Sequence, residues 1–115
     1  MAKLIRDKVA TEILAITPNR IALFQGLEDK QKALNNKIIE ESLELAEELE
    51  KKDVDENAII EEAADIIECI YAICDFKNID IEEVYEMLLA KRKIKGRFLT
   101  FSCLLDDDVD MIDFL

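Results

Sequence analysis

Two long segments of this chain carry the apolar spacing of helices. Leu34, Ile38, Glu41 and Leu45 share one stripe, and Ile59, Glu62, Ile66 and Ile70 share another, in steps of three and four residues. That period predicts an amphipathic helix over about 29–52 and a second over about 55–77. Between them, Lys51-Lys52-Asp53-Val54-Asp55-Glu56 reads as a turn, with Asp53 or Asp55 as N-cap. Asn78 closes the second helix. Asp80 with Glu83 resembles a capping box, with Asp in place of the usual Ser or Thr, and starts a third helix that runs to about residue 94. Ile81, Val84, Tyr85, Leu88 and Leu89 are its expected buried face, and Gly96 its end. Upstream, residues 7–16 read as a short helix that stops before Pro18, and Gly26 as a break before the first long helix. The pattern predicts an all-α antiparallel helical bundle. A single domain covers 1–115, with an N-terminal basic segment (about 1–27), a helical core (about 29–94) and a C-terminal tail (about 95–115).

Both stripes are interrupted by an acid. Glu40-Glu41-x-x-Glu44 lies on the first helix and Glu62-x-x-Asp65 on the second. An i, i+3 pair puts two side chains on one face, a turn apart. The midpoint of Glu41/Glu44 and Glu62/Asp65 is residue 53, inside the turn. Helices folding back there bring the pairs level, roughly 16 Å from the turn at about 1.5 Å per residue. An unpartnered buried carboxylate is costly and takes a proton or a partner. Four of them at one point call for a cation, and hard oxygen ligands suit Mg²⁺ or Mn²⁺. The alternative is an exposed acidic helix face, which is how Glu47, Glu48 and Glu50 read.

Composition narrows the chemistry. The chain has 115 residues, half of them hydrophobic, with two glycines and one proline. A chain this short has a modest core, which oligomerisation would enlarge. The net charge of −12 argues against a nucleic-acid polymer as partner, though not against one nucleotide held through a metal. The absence of histidine removes Ser-His-Asp and Cys-His catalysis, His-Zn sites and Glu-x-x-His di-iron centres. Cys69, Cys74 and Cys103 form no C-x-x-C and read as reduced structural residues of a cytoplasmic protein. No apolar run reaches the roughly 18 residues a membrane span needs. The charged start, Met-Ala-Lys-Leu-Ile-Arg-Asp-Lys, does not read as a signal peptide.

Two clusters hold eight of the fifteen bases. Lys3, Arg6 and Lys8 form one cluster, which suits phosphate binding, a solvated terminus or salt bridges to the acidic helices. Lys91 to Arg97 put five bases in seven residues. They complement a helix C-terminus but exceed what that needs, so a phosphate role stands beside it. The tail from Asp106 to Leu115 alternates acids and apolar residues, suiting either docking on a neighbour or a loose end.

The E-E-x-x-E, gap, E-x-x-D pattern resembles the MazG-like all-α NTP pyrophosphatase superfamily. Lys3-Leu4-Ile5-Arg6-Asp7-Lys8 is similar to the K-L-V-R-D-K opening of its small phosphoribosyl-ATP-pyrophosphohydrolase-like members. Lys91 to Phe98 is similar to their K-x-x-x-R-G-G-F ending, and together these features span residues 3–98 in order. Two departures stand out. The ending reads Lys95-Gly96-Arg97-Phe98, and Val9-Ala10-Thr11-Glu12 replaces the usual Ile-Pro-Glu after Lys8.

The resemblance implies hydrolysis of a nucleoside triphosphate between the α- and β-phosphates, giving a monophosphate and pyrophosphate. Glu41, Glu44, Glu62 and Asp65 would be metal ligands. Glu40, about 100° round the helix from Glu41, is the candidate second-metal ligand or general base. Glu61 and Glu68 are weaker candidates. Lys3, Arg6, Lys8, Lys91, Lys95 and Arg97 would neutralise the leaving pyrophosphate. Phe98, Phe101 or Tyr71 could stack on a base, although a buried structural role is expected for them. Two helices cannot enclose a nucleotide, so a homodimer or homotetramer is expected to complete the pocket. The competing readings are a helical interaction protein that keeps the shape without catalysis, and a metal-dependent nucleotide sensor without turnover.

Overall fold

A computed structural model describes residues 2–105, and the alternating tail from Asp106 lies outside the described residues. The described chain is all-helical: α1 Asp7–Ile16, a 3₁₀ turn at Pro18–Arg20, α2 Gly26–Glu50, α3 Glu56–Lys77 and α4 Ile81–Lys95. It groups into two units, one ending at Asn78 and one starting at Ile79. Among the described residues no helix is long and apolar enough to cross a membrane.

In the first unit α2 and α3 pack against each other as a hairpin. Local chemistry sets its ends. Asp55 is the N-cap of α3: its Oδ1 accepts from the backbone N–H of Asn57 at 3.0 Å and of Ala58 at 3.4 Å. These are donors a helix start leaves unsatisfied. Asn78 closes α3 in the left-handed conformation at φ 56°, which Asn tolerates better than most residues. Asp80 caps α4 by accepting from Glu82 N–H at 3.0 Å. Gly96 ends α4 at φ 81°.

Two expectations need correction. Gly26 is the first residue of α2 rather than a break before it. Its φ of 76° lets the chain turn there at little steric cost, and Glu28 and Asp29 complement the helix start. The expected buried face of α4 is not buried: Val84, Tyr85, Leu88 and Leu89 are exposed, and no α4 residue is buried. Among the described residues of its own unit α4 is the one helix, so it has no second helix there to bury its stripe against.

The hairpin core is thin. Ala33, Cys69 and Cys74 are its buried apolar residues, while Leu34, Ile38, Leu45, Ile59, Ile66 and Ile70 are half-buried along the seam. Glu41 is 5% exposed and sits among them. Ile39, Leu43, Ile60 and Ile67 point away from the seam, each half exposed or more.

Candidate metal centre

The seam carries the acids where the register places them. One carboxylate oxygen each from Glu40, Glu41 and Glu44 lie within 4.8 Å of one another. So do oxygens of Glu41, Glu62 and Asp65, which makes Glu41 the member common to both groups. Two helix faces, packed antiparallel about a turn centred near residue 53, therefore present five carboxylates to one region.

Three cations stand on these acids. Lys3 Nζ lies 2.6 Å from Glu40 Oε1, and Arg6 Nη2 lies 2.7 Å from Asp65 Oδ1. Lys37 Nζ is 3.0 Å from Glu41 Oε1 and 3.6 Å from Glu40 Oε2. The N-terminal segment is thus pinned to both helices, through Lys3 on α2 and Arg6 on α3. Of the alternatives for this basic cluster, salt bridging to the acidic helices is what Lys3 and Arg6 do. Lys8 lies exposed on α1, outside the ion pairs of the described residues.

Charge is not fully balanced. Glu41 Oε2 and Glu62 Oε2 have no solvent access and no hydrogen-bond partner. The Glu62 carboxyl is pushed up to about 7. Loss of hydration is the main cause, followed by a hydrogen bond with Glu44 and the charges of Glu44, Glu41 and Asp65. Glu40 is shifted the other way: its hydrogen bond with Lys3, helped by the Lys37 charge, holds it below the usual carboxylate range. For Lys37, burial pulls the ammonium down, but the hydrogen bond to Glu41 and the Glu40 charge outweigh it. The result is a raised pKa and a fixed cation. Arg6 is raised by its hydrogen bond to Asp65. Burial pushes the Cys69 thiol up, consistent with a structural cysteine.

Other candidates lie elsewhere. Glu61 and Glu68 are exposed and belong to neither carboxylate group, although the Glu68 charge is felt by Arg6. Lys91 and Lys95 lie on α4, and Arg97 follows Gly96, all in the second unit. Phe98 and Phe101 are 94% and 90% exposed, so the expected burial of these two aromatics is not found, whereas Tyr71 on α3 is 36% exposed. Glu48 is not on a solvated face either. Its Oε2 is buried and its Oε1 meets Lys51 at 2.6 Å. The stripe 34, 38, 41, 45 continues to 48, which explains the placement. Lys37 was missed as a site residue, although its i+3 and i+4 spacing to Glu40 and Glu41 was visible.

A family model described as the MazG nucleotide pyrophosphohydrolase domain matches residues 29–97, more than half the chain. The chain belongs to the MazG family. The match runs from the first turn of α2 to just past α4 and takes in all five acids. A MazG domain carries a nucleotide pyrophosphohydrolase kind of activity, a hydrolase chemistry. MazG proteins are in general dependent on a divalent metal, and both carboxylate groups have the oxygen donors such an ion takes. No curated protein and no solved structure matches the chain.

Proposed function

We propose that this MazG protein hydrolyses nucleoside triphosphates at the α–β anhydride, releasing a nucleoside monophosphate and pyrophosphate, with Mg²⁺ or Mn²⁺ as cofactor. The observation that carries the reading is the pair of carboxylate groups sharing Glu41, with two buried oxygens that have no partner. An acid cluster whose own cations leave such oxygens unsatisfied fits a divalent ion better than an empty solvated face. Glu41, Glu44, Glu62 and Asp65 would hold the metal. When bound, it supplies charge to the α-phosphate and acidifies water.

The chain's own groups do the rest. Glu40 is held ionised by Lys3 and Lys37, which suits a further ligand; as acceptor of a proton from the attacking water it would gain basicity only when Lys3 leaves it. Lys3 and Arg6, seated on Glu40 and Asp65, would move to the phosphates of an incoming nucleotide once those carboxylates turned to a bound metal. Lys37 stays paired with Glu41 at 3.0 Å.

The chain would act as a homodimer or homotetramer. Ile39 and Leu43 on α2, with Ile60 and Ile67 on α3, form an outward apolar face that a second copy would cover.

The test is pyrophosphate release from canonical and modified ribo- and deoxyribonucleoside triphosphates with Mg²⁺, using Glu41→Gln as control. Pyrophosphate release that the variant loses supports the reaction. Orthophosphate alone moves the cleavage to another bond. Binding of nucleotide and Mg²⁺ without any release would instead favour a sensor.

A further inference from the structure

The two carboxylate groups are not equally open to a metal. In the group of Glu40, Glu41 and Glu44, the chain already engages the acids. Glu40 Oε1 meets Lys3 at 2.6 Å, and Glu40 Oε2 meets Lys37 at 3.6 Å. Lys37 also meets Glu41 Oε1 at 3.0 Å, and Glu44 shares a hydrogen bond with Glu62. The group of Glu41, Glu62 and Asp65 is different. Its members Glu41 and Glu62 each keep one buried oxygen, Oε2, without a partner. The Glu41 side chain is 7% exposed, so water does not make up the loss. Asp65 carries Arg6, whose side chain is 55% exposed and can swing away.

Lys37 is held differently from the other two cations. It lies one turn before Glu40 and Glu41 on α2, at i+3 and i+4, so the helix itself sets its place. Its side chain is 22% exposed, against 62% for Lys3. An ammonium seated between two carboxylates supplies positive charge as a metal ion would, but it has no open coordination position. A divalent ion brought to the same two oxygens would meet that fixed charge in a half-buried place, where screening is weak. We propose that Lys37 is a built-in cation that fills the Glu40, Glu41 and Glu44 half of the centre, so that the nucleotide-free chain takes a single divalent ion, on Glu41, Glu62 and Asp65. The proposal rests on the metal reading given above. Lys37 is a positioning residue in this role. It acts through Glu41, engaging Oε1 and leaving Oε2 for the ion.

The experiment counts Mn²⁺ bound per chain without nucleotide, by loss of the free-ion electron paramagnetic resonance signal and by titration calorimetry. The full chain is compared with Lys37→Met, Lys37→Gln, Lys37→Arg and Glu62→Gln, and circular dichroism checks that each is folded. The parent is expected to bind about one ion, and the two neutral Lys37 variants about two. Two ions roughly 4 Å apart couple magnetically, so the bound signal broadens in the neutral variants and not in the parent. Lys37→Arg keeps the charge and stays at about one ion. Glu62→Gln weakens the parent's ion, as expected of a ligand in the second group. A merely structural role for Lys37 would lower the melting temperature without moving the count. A parent that binds two ions overturns the proposal. So does a folded neutral variant that stays at one, or Lys37→Arg that takes up a second. If neither the parent nor any variant binds Mn²⁺, the metal reading itself falls, and the proposal with it.

Discussion

The strongest quantitative consequence of the acid cluster is a proton that must leave when metal arrives. Glu62 titrates at about 7 in the metal-free fold, against 4.5 for an ordinary glutamate. Between those values the folded chain binds more protons than the unfolded one, so the metal-free protein loses stability as pH rises through that window. A metal ion needs the carboxylate form, so binding releases the proton. From a single group at about 7, about 0.9 proton leaves per bound metal at pH 6 and about 0.1 at pH 8. Apparent Mg²⁺ or Mn²⁺ affinity then rises roughly 25-fold between pH 5.5 and 7.5 and levels off above. Titration calorimetry in two buffers of different ionisation enthalpy counts the protons directly. Glu62→Gln binds metal more weakly, but its affinity no longer carries this pH slope, and its metal-free melting temperature no longer falls between pH 4.5 and 7. Affinity flat from pH 5.5 to 7.5, or a proton count at pH 6 unchanged by Glu62→Gln, would refute the reasoning.

Three further outcomes are expected. Arg6→Ala removes a pair whose partners are both more than one-third exposed, so its stability cost stays under about 1 kcal/mol. In the same variant calorimetry at low salt finds Mg²⁺ binding several-fold tighter without nucleotide, because Asp65 is no longer occupied; equal or weaker binding counts against exchange. Asp55→Ala unseats the start of α3 and costs about 1 kcal/mol, read as a fall in melting temperature of about 4–6 °C with metal affinity per folded molecule unchanged. Leu43→Glu and Ile60→Glu charge the outward face of the hairpin, and light scattering shows a smaller mass than the parent; a parent that is already monomeric removes the assembly proposal.

The seam was legible because its information is local. Steps of three and four fixed α2 and α3 to within a few residues, and Asp55 and Asn78 marked the ends of α3, and Gly96 the end of α4, by chemistry that acts within one turn. The register of the acids followed from the position of the turn alone. Glu48 was readable by the same rule, but its acidic neighbours suggested a wet face. What the sequence could not show is contact across distance. Arg6 and Asp65 are 59 residues apart, and nothing in either segment names the other. The α4 stripe was visible as apolar, yet periodicity says only that a face wants cover, not whether the same unit supplies it. A hollow of about 530 Å³ lined in part by Leu4, Phe24 and Ala33 has the same character: it needs residues 4, 24 and 33 brought together, and no motif joins them.

The way the acids are already occupied argues that metal binds by exchange rather than by simple addition, because Lys3 and Arg6 sit on Glu40 and Asp65. Five carboxylates converge, and the chain answers them with three cations, Lys3, Arg6 and Lys37. Two negative charges remain, and the two partnerless buried oxygens lie on Glu41 and Glu62. One divalent ion balances that remainder; the high Glu62 pKa is how the metal-free chain lowers it. The two N-terminal cations differ from the third. Lys37 is mostly buried and locked between Glu40 and Glu41, whereas the Lys3 and Arg6 side chains are more than half exposed. Only the exposed pair can leave cheaply. A nucleotide arriving with its own metal would draw Lys3 and Arg6 onto its phosphates and free Glu40 and Asp65 as ligands. On that account, adding salt to the metal-free protein weakens the two exposed pairs through screening but leaves Lys37 in place. The N-terminal segment, not the hairpin, is then the part that loosens first, seen as lower NMR order parameters at residues 3–6 with α2 and α3 unchanged. Uniform loosening of the segment and the hairpin together would mean that Lys3 and Arg6 hold the fold itself, and the exchange argument would fail.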